Sequence, residues 1–277
     1  MEIKKHICFR SKQDLELTDF LIQNNIPFQE GEIISSLDIF ESSPYWPFIA
    51  EYLIKRKLIC LSETVFTKNE LSKAEWLTVR SQWRCGYPQP EGAFAYETIT
   101  YTRRDHCNEC GSGLVQVNAF RIKKPPKWGK RHFMMLNWVE DEIFVSDIAK
   151  NVLLCESVTG ISFREVEDKK GAEIYTDVSQ LVVSSVLSEG VIEERRSVDE
   201  APICPHCGIK KYHPTGIGML AFHKGIFENA PDIVKSGEIF GWGHGASRVI
   251  LVRQNVYQLI IANHLECGLV FEPIELI

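Results

Sequence analysis

The sequence predicts an α+β fold of mixed sheets and short helices, with two quasi-repeated halves in its C-terminal region. Three observations lead to this prediction. Short strand patterns alternate with amphipathic helix patterns through the first hundred residues. A Cys-x-x-Cys-Gly motif occurs twice, at 107–111 and 204–208. A helix, a glycine and a strand are predicted after each motif, so each half combines a cysteine knuckle with a helix-strand unit.

The N-terminal elements are predicted in the order strand, helix, strand, helix. Residues 4–10 (KKHICFR) and 28–37 (FQEGEIISSL) have extended patterns. The stretch 11–14 (SKQD) resembles a capping box and predicts a helix that ends at about Asn24, ahead of a proline. A second helix is predicted over about 45–57, with prolines in its first turn.

A further strand and helix complete this region. Residues 57–66 (KLICLSETVF) have the pattern of a buried strand, and a second capping box before 71–81 (LSKAEWLTVRS) predicts a third helix. The turn-rich stretch 85–92 (CGYPQPEG) then predicts a boundary. We therefore expect an N-terminal α/β region over 1–90 and a double-CxxCG region over 91–277.

Two segments beyond residue 100 match each other. FVSDIAKNVLLCESVTGISFREVE at 144–167 aligns with LVRQNVYQLIIANHLECGLVFEPIE at 251–275 when one inserted residue is allowed. Together with the knuckles they define quasi-repeats over about 105–167 and 202–275. A strand (LVVSSVL) and a charged connector at 188–202 are predicted between the copies.

Within each copy the helix is expected to present one apolar face and to stop at a glycine. The spacing of four between Ile148 and Val152, and again between Val256 and Ile260, defines that face. Gly160 and Gly268 provide the left-handed stops.

Length, charge and apolar pattern narrow the class of protein. The 277 residues carry a net charge of -6, which argues against a general nucleic-acid coat and favours a basic partner. Neither a signal-peptide pattern nor an uninterrupted run of about 18 apolar residues is present, so we expect a cytoplasmic protein without a membrane partner.

Nine cysteines, an odd number, favour metal binding over a disulfide framework in such a protein. Zinc takes tetrahedral thiolate ligands about 2.3 Å away, and two Cys-x-x-Cys turns complete such a shell. The expectation is one structural zinc per chain, held by Cys107, Cys110, Cys204 and Cys207. Separate sites or metal-free turns remain alternatives, because the two motifs lie unusually far apart.

Other residues extend this picture. The predicted zinc ligands would leave excess negative charge, which Arg103, Arg104, Lys210 and Lys211 could moderate. His106, His206 and His213 lie beside the knuckles and could make two sites, with His213 the best substitute ligand. The remaining cysteines are predicted to be mostly small buried hydrophobes, namely Cys8, Cys60, Cys85, Cys155 and Cys267.

Two further stretches contain candidate ligand-binding residues. His244 lies in the glycine-rich segment 239–252, which is predicted to be mainly a structural turn and has no phosphate-loop ending. Trp128 lies in 121–131 (RIKKPPKWGKR) among six basic residues. With His213, these residues are the candidates for binding a ligand. The zinc-deaminase signature, the nucleophile elbow and the zinc-protease helix are missing from the sequence, so no enzyme is predicted.

With its two CxxCG units and the matching segments, the chain resembles bacterial double-CxxCG proteins over about residues 100–277. It is also similar to the related immunity-type proteins found with polymorphic toxins. The resemblance implies a cytosolic bacterial protein without catalytic residues, one that neutralises a toxin by direct binding.

The leading hypothesis is thus a zinc-stabilised protein-interaction module of the immunity type, with a basic toxin as its partner. The alternative is a zinc-ribbon protein that binds nucleic acid through the basic segment. The residues expected to carry that alternative are Arg121, Lys123, Lys124, Lys127, Trp128, Lys130 and Arg131. An enzyme that depends on His244 or His213 is the third hypothesis.

Overall fold

A computed structural model describes residues 1–193, 195, 197–200 and 203–277. The charged connector predicted over 188–202, and the start of the second quasi-repeat at residue 202, therefore lie partly outside the described residues. The chain forms two compact units, Met1–Glu70 with Thr215–Met219, and Leu71–Pro214 with Leu220–Ile277. Short helices accompany antiparallel and mixed sheets, which confirms the predicted α+β class.

The smaller unit is an antiparallel sheet in the order β2-β1-β3, with two helices against one face. Its elements are β1 (Glu2–Phe9), α1 (Leu15–Gln23), β2 (Ser35–Phe40), α2 (Trp46–Arg56) and β3 (Cys60–Val65). Residues of β1 alternate between faces, so that Ile7 and Phe9 are buried while Cys8 between them is exposed. Leu17, Leu21 and the buried side chains of α2 complete this core.

The helix predicted over 71–81 is wrong. The capping box at Thr67 does form, since the Thr67 hydroxyl accepts from the Glu70 N–H, but its helix α3 (Lys68–Lys73) is short. The next element is the strand β4 (Trp76–Ser81), which pairs with two later strands and buries Trp76 and Leu77. Local capping chemistry predicted the helix start, whereas tertiary pairing determined where it ends.

The larger unit contains the remaining elements. Its helices are α4 (Tyr96–Thr100), α5 (Asp147–Cys155) and α6 (Gln254–Ala262). Its strands after β4 are β5 (Tyr101–Thr102), β6 (Val115–Gln116), β7 (Phe120–Ile122), β8 (Phe133–Met134), β9 (Ile143–Ser146), β10 (Ile161–Asp168), β11 (Ile174–Val183), β12 (Val198–Glu200), β13 (Lys211–Pro214), β14 (Ala221–Phe222), β15 (Ile233–Lys235), β16 (Ile239–Phe240), β17 (Ile250–Arg253), β18 (Leu269–Pro273) and β19 (Glu275–Leu276).

Two sheets form the main core of this unit. Their strand orders are β7-β10-β11-β9-β8 and β15-β17-β4-β18. In the first sheet α5 connects β9 to β10 with β11 antiparallel between them, and in the second α6 connects β17 to β18 with β4 antiparallel between them. Each matching segment of the sequence is thus a split β-α-β unit, and both units contribute to one apolar cluster.

The helices of the two β-α-β units are each nine residues long, but only one of them buries the predicted face. Helix α6 buries Val256 and Ile260 as expected. Helix α5 instead buries Ala149 and Leu153, and Ile148 is 59% exposed. The face is therefore shifted by one residue from the one predicted. Descent of the halves from a duplication stays a prediction.

The glycine stops have the expected backbone, since Gly160 and Gly268 have φ values of +86° and +85°. In the second β-α-β unit, β4 pairs with both β17 and β18. The domain boundary predicted between residues 90 and 91 falls inside the larger compact unit. None of the helices in the described residues has the length and apolar character needed to cross a membrane.

Candidate metal centre

Each CxxCG knuckle occupies the tip of an antiparallel strand pair in the larger unit. The first lies between β5 and β6, and the second lies between β12 and β13. A short strand on either side fixes the two ends of each loop, because the paired strands share backbone hydrogen bonds. The chain therefore presents two comparable hairpin tips that are 97 residues apart in sequence.

The two knuckles share one hydrogen-bonding pattern. Gly111 N–H donates to the Cys107 carbonyl (2.8 Å), and Gly208 N–H donates to the Cys204 carbonyl (2.9 Å). The first cysteine of each knuckle also donates its own N–H to the residue five positions later. Both glycines have positive φ, +77° and +73°, which explains why glycine follows each cysteine pair.

The four cysteine sulfurs converge on one point. The Sγ atoms are 3.9 Å apart for Cys107 and Cys204 and 3.5 Å apart for Cys110 and Cys207, and all four lie within 4.8 Å of one another. These distances exceed a disulfide bond of about 2.05 Å. A tetrahedral zinc-thiolate centre requires sulfur separations of about 3.8 Å. The cluster therefore fits one metal ion with four thiolate ligands.

The thiols are too close to ionise together without a cation. Burial raises the pKa of Cys110, but hydrogen bonds from Ser112 and the neighbouring thiols outweigh it and lower that pKa. The Ile209 N–H lowers the pKa of Cys207, but desolvation and hydrogen bonds with the other cysteines outweigh that effect and raise it. One negative charge is thus favoured at Cys110, and a divalent ion would be needed to hold four thiolates.

Lys211, one of the four predicted charge-compensating residues, reaches the first knuckle. Lys211 is buried, and its Nζ donates to the carbonyls of Cys110 and Gly243, the latter at 2.7 Å. Arg103 instead pairs with Glu97. Lys210 contacts Glu193 away from the cysteines. Lys211 therefore places a buried cation beside the first knuckle and ties it to the glycine-rich segment.

The glycine-rich segment packs directly on the first knuckle. A Cβ added to Gly111 would lie 2.8 Å from the His244 Cα and 2.7 Å from its ring, so the two backbones approach as closely as glycine allows. No comparable neighbour surrounds Gly208 among the described residues. His244 is thus a packing neighbour of the centre, a role that its turn-rich sequence context did not reveal.

Histidines remain outside the set of ligand atoms found in the described residues. His206 is exposed, as its position inside the knuckle predicted. His213 stacks on Trp242, and the ring of His106 lies 6.4 Å from that of His244. The structure therefore favours a four-cysteine site over two mixed sites in these residues.

The basic segment is partly used within the fold. Arg121 pairs with Glu167 at 2.9 Å, and Trp128 Nε1 donates to the Asp177 carbonyl at 3.0 Å. Arg131 lies over the Trp83 ring. The lysines of this segment, Lys123, Lys124, Lys127 and Lys130, are exposed. Nucleic-acid binding by this segment would therefore depend on the lysines more than on Trp128.

The prediction that the other cysteines are buried is wrong for three of them. Cys8, Cys155 and Cys267 are exposed, while Cys60 and Cys85 are half-buried. Cys8 lies on the open face of its strand, and Cys155 is the last residue of α5. Apolar neighbours in sequence predicted burial, but strand alternation exposes Cys8, the end of a helix exposes Cys155, and a turn exposes Cys267.

A scan against protein-family models and a search of curated proteins found no match to this chain. The resemblance to double-CxxCG and immunity-type proteins therefore stays a prediction. The class that the site itself defines is a protein whose four clustered cysteines could bind one metal ion.

Proposed function

We propose that the chain is a zinc-stabilised protein-interaction module. Four thiolates with tetrahedral spacing favour zinc, which binds such sets as a structural ion. A shell completed by four cysteines leaves no position for a reactive water, so the ion would serve as a scaffold and not as a catalyst. Its role would be to join two hairpins that sequence separates by 97 residues.

The observation that carries the interaction function is an exposed aromatic patch, defined as Tyr87, Phe94 and Trp138. These side chains are 39%, 48% and 41% exposed, and the Trp138 ring lies 4.5 Å from Tyr87 and 4.7 Å from Phe94. Clustered aromatic rings that remain in solvent are typical of the centres of protein interfaces.

Backbone strain supports a functional reason for this patch. Phe94 and Trp138 have φ values of +56° and +69°, in a region that bulky residues rarely adopt. Such a conformation costs on the order of 1 to 3 kcal/mol per residue. Because the strain holds rings at the surface instead of burying them, contact with a partner is a consistent explanation.

The surrounding charge suits a basic partner. Glu91 is exposed beside the aromatic residues in sequence, Glu140 pairs with Arg84, and the whole chain carries a net charge of -6. Complementary charge would accelerate encounter with a basic protein. We therefore propose, as the more specific function, that this bacterial cytoplasmic module neutralises a basic toxin by direct binding.

The test is capture of partners from the native host with the full-length, zinc-loaded chain and its Trp138→Ala variant. The parent is expected to recover a basic protein that the variant recovers at least about tenfold less, since loss of a central aromatic residue costs about 2 kcal/mol or more. Leu154→Ala is the matched control, because Leu154 is 54% exposed in the same unit outside the patch.

The immunity function requires a second result. A strain lacking this chain should become sensitive to the captured protein, and the parent chain, but not Trp138→Ala, should restore resistance. Unchanged sensitivity would limit the function to binding, and capture that Trp138→Ala does not reduce would contradict the aromatic patch. Salt-sensitive recovery of nucleic acid through the exposed lysines would favour the alternative function.

A further inference from the structure

On the open face of the N-terminal sheet, a cysteine contacts a histidine, and the same histidine contacts a carboxylate. His6 and Cys8 are two residues apart on β1 and therefore point to the same face. Asp38 on β2 lies directly opposite His6 in the strand register. Helices α1 and α2 cover the other face; Cys8 and Asp38 are exposed, and His6 is half-buried.

The three side chains have the geometry of an activated thiol. His6 Nδ1 lies 2.6 Å from Asp38 Oδ1, and Cys8 Sγ lies 3.6 Å from His6 Nε2. Donation from Nδ1–H to the carboxylate fixes the tautomer that leaves Nε2 free to accept the thiol proton. Cys8, His6 and Asp38 are thus connected in the same order as nucleophile, base and orienting carboxylate in nucleophilic catalytic sites.

The arrangement differs from a metal site. The ring nitrogens of His6 point in opposite directions, one to Asp38 and one to Cys8, and so cannot converge on one ion. Among the described residues, the ligand atoms close enough to hold a metal are those of the four knuckle cysteines. Other charged groups on this face include Glu2, whose carboxylate accepts from Ser42, and Lys4 and Glu63, which pair at 2.9 Å; Lys4 Nζ is also 3.9 Å from Asp38.

Cys8 also lines an open cavity of about 330 Å³ in the same unit. Arg10 and Arg56 contribute two guanidinium groups to its wall, and Ile34 and Leu58 contribute apolar surface. Asp14 lies in the wall as well, where it accepts from the Arg10 N–H and pairs with Arg56 at 3.4 Å. The lining therefore carries a net positive charge of about one, which suits a small anionic molecule.

We infer that Cys8 is a reactive thiol that forms mixed disulfides with small anionic disulfides, with His6 as its base and Asp38 as a positioning residue. His6 accepts the thiol proton, and the Cys8 thiolate attacks one sulfur of the disulfide. The new S–S bond forms as the old one breaks, and the leaving thiolate takes the proton from His6. One disulfide is exchanged for another, so no external oxidant is required.

Disulfide exchange is favoured over acyl transfer because of the backbone hydrogen bonding around Cys8. An acyl intermediate requires donors aimed at its oxyanion, yet at Cys8 the backbone of β1 pairs with β2, and the nearby Arg10 N–H donates to the Asp14 carboxylate. In disulfide exchange the leaving group is already a stable thiolate. This inference is independent of the aromatic patch and of the metal centre.

The test follows the rate at which each cysteine of the full-length, zinc-loaded chain reacts with dithiobis-nitrobenzoate, a disulfide with two carboxylates. Peptide mass mapping assigns the sites. Cys155 and Cys267 are the internal controls, since both are exposed. Cys8 is expected to react about fivefold to tenfold faster at pH 7, because His6 can accept the thiol proton during the attack and the arginines of the cavity attract the anionic probe.

Substitutions test whether Cys8 reacts faster because its neighbours activate it or only because it is exposed. His6→Gln and Asp38→Asn should lower the Cys8 rate at pH 7, and the pH profile of that rate should differ from the parent's because the oriented base is lost. Arg56→Gln should slow the reaction with the anionic probe while leaving that with neutral dithiodipyridine unchanged. If a variant fails to fold, the pH profile and probe preference of the parent chain still decide the question.

Equal rates at Cys8, Cys155 and Cys267 would overturn the inference. It would equally be overturned if a folded His6→Gln chain kept the parent rate and pH profile, since His6 and Asp38 would then be a cross-strand surface pair only. A rate that is independent of probe charge would contradict the role assigned to the arginine-lined cavity.

Discussion

The two CxxCG knuckles have the same backbone hydrogen bonds but different surroundings. At the first knuckle, Gly111 is pressed against His244, and the Cys110 carbonyl accepts from the buried Lys211. At the second, no described residue lies within 4 Å of a Cβ placed on Gly208, and Cys207 is exposed. The comparison teaches that the motif itself builds the turn, whereas the later glycine-rich segment packs directly on the first turn and reaches the second only through its pairing with β13.

The largest expected effect comes from removing a ligand that both knuckles need. Cys204→Ser should abolish binding of one zinc per chain and destabilise the larger unit by about 4 kcal/mol, even where free zinc exceeds its dissociation constant only a thousandfold. Metal content and urea unfolding measure the two effects. Cys155→Ser, at an exposed thiol, should change neither by more than about 0.5 kcal/mol.

A Cys204→Ser chain that keeps its metal and stability would contradict a shared site. Two zinc ions in the parent chain would instead separate the knuckles and return His106, His206 and His213 to the ligand set. Absence of zinc from the parent, after purification without a metal-binding tag, would remove the scaffold role altogether.

The second prediction tests the difference between the glycines. Gly208→Ala should cost about 1 to 2 kcal/mol, the penalty for a side chain in the left-handed region. Gly111→Ala should cost distinctly more, because its Cβ would also overlap the His244 backbone. Urea unfolding of the zinc-loaded proteins measures both, and equal costs would show that the contact with His244 is unimportant.

The third prediction concerns the buried cation at the first knuckle. Lys211→Met leaves two carbonyls without their donor and should destabilise the unit by about 2 kcal/mol. It should also hasten zinc transfer to a chelator. Lys210→Met is the adjacent control and should cost no more than about 1 kcal/mol, because its ion pair with Glu193 is partly exposed. Equal effects of the two substitutions would contradict the role assigned to Lys211.

Sequence predicted those features that depend on neighbouring residues. The helices α1, α2, α5 and α6, the glycine stops and the clustering of the four cysteines all follow from local patterns or motif chemistry. The strand β4 did not, because its pairing partners β17 and β18 lie far along the chain and override a helix signal. Contact between His244 and Gly111 likewise requires the fold.

The sequence alone places together two of the three residues of the proposed reactive-thiol site on the open face. The prediction of a strand over KKHICFR already places His6 and Cys8 on one face, since residues two apart in a strand point the same way. The third member could not be found in this manner, because Asp38 meets His6 only through the register of β1 with β2.

The smallest expected effect distinguishes the knuckles by their acidity in metal-depleted protein. Ionised Cys110 is favoured in the folded chain, with a pKa lowered to about 6, so its stabilising contribution is full above its unfolded pKa near 8.5 and lost as pH falls through about 6. Cys207 has its pKa raised. Iodoacetamide at pH 7 should therefore label Cys110 before Cys207, although Cys207 is the more exposed, and mass mapping gives the order. Labelling ordered by exposure alone would show that the first knuckle does not concentrate the charge, and that Ser112 contributes only to the turn.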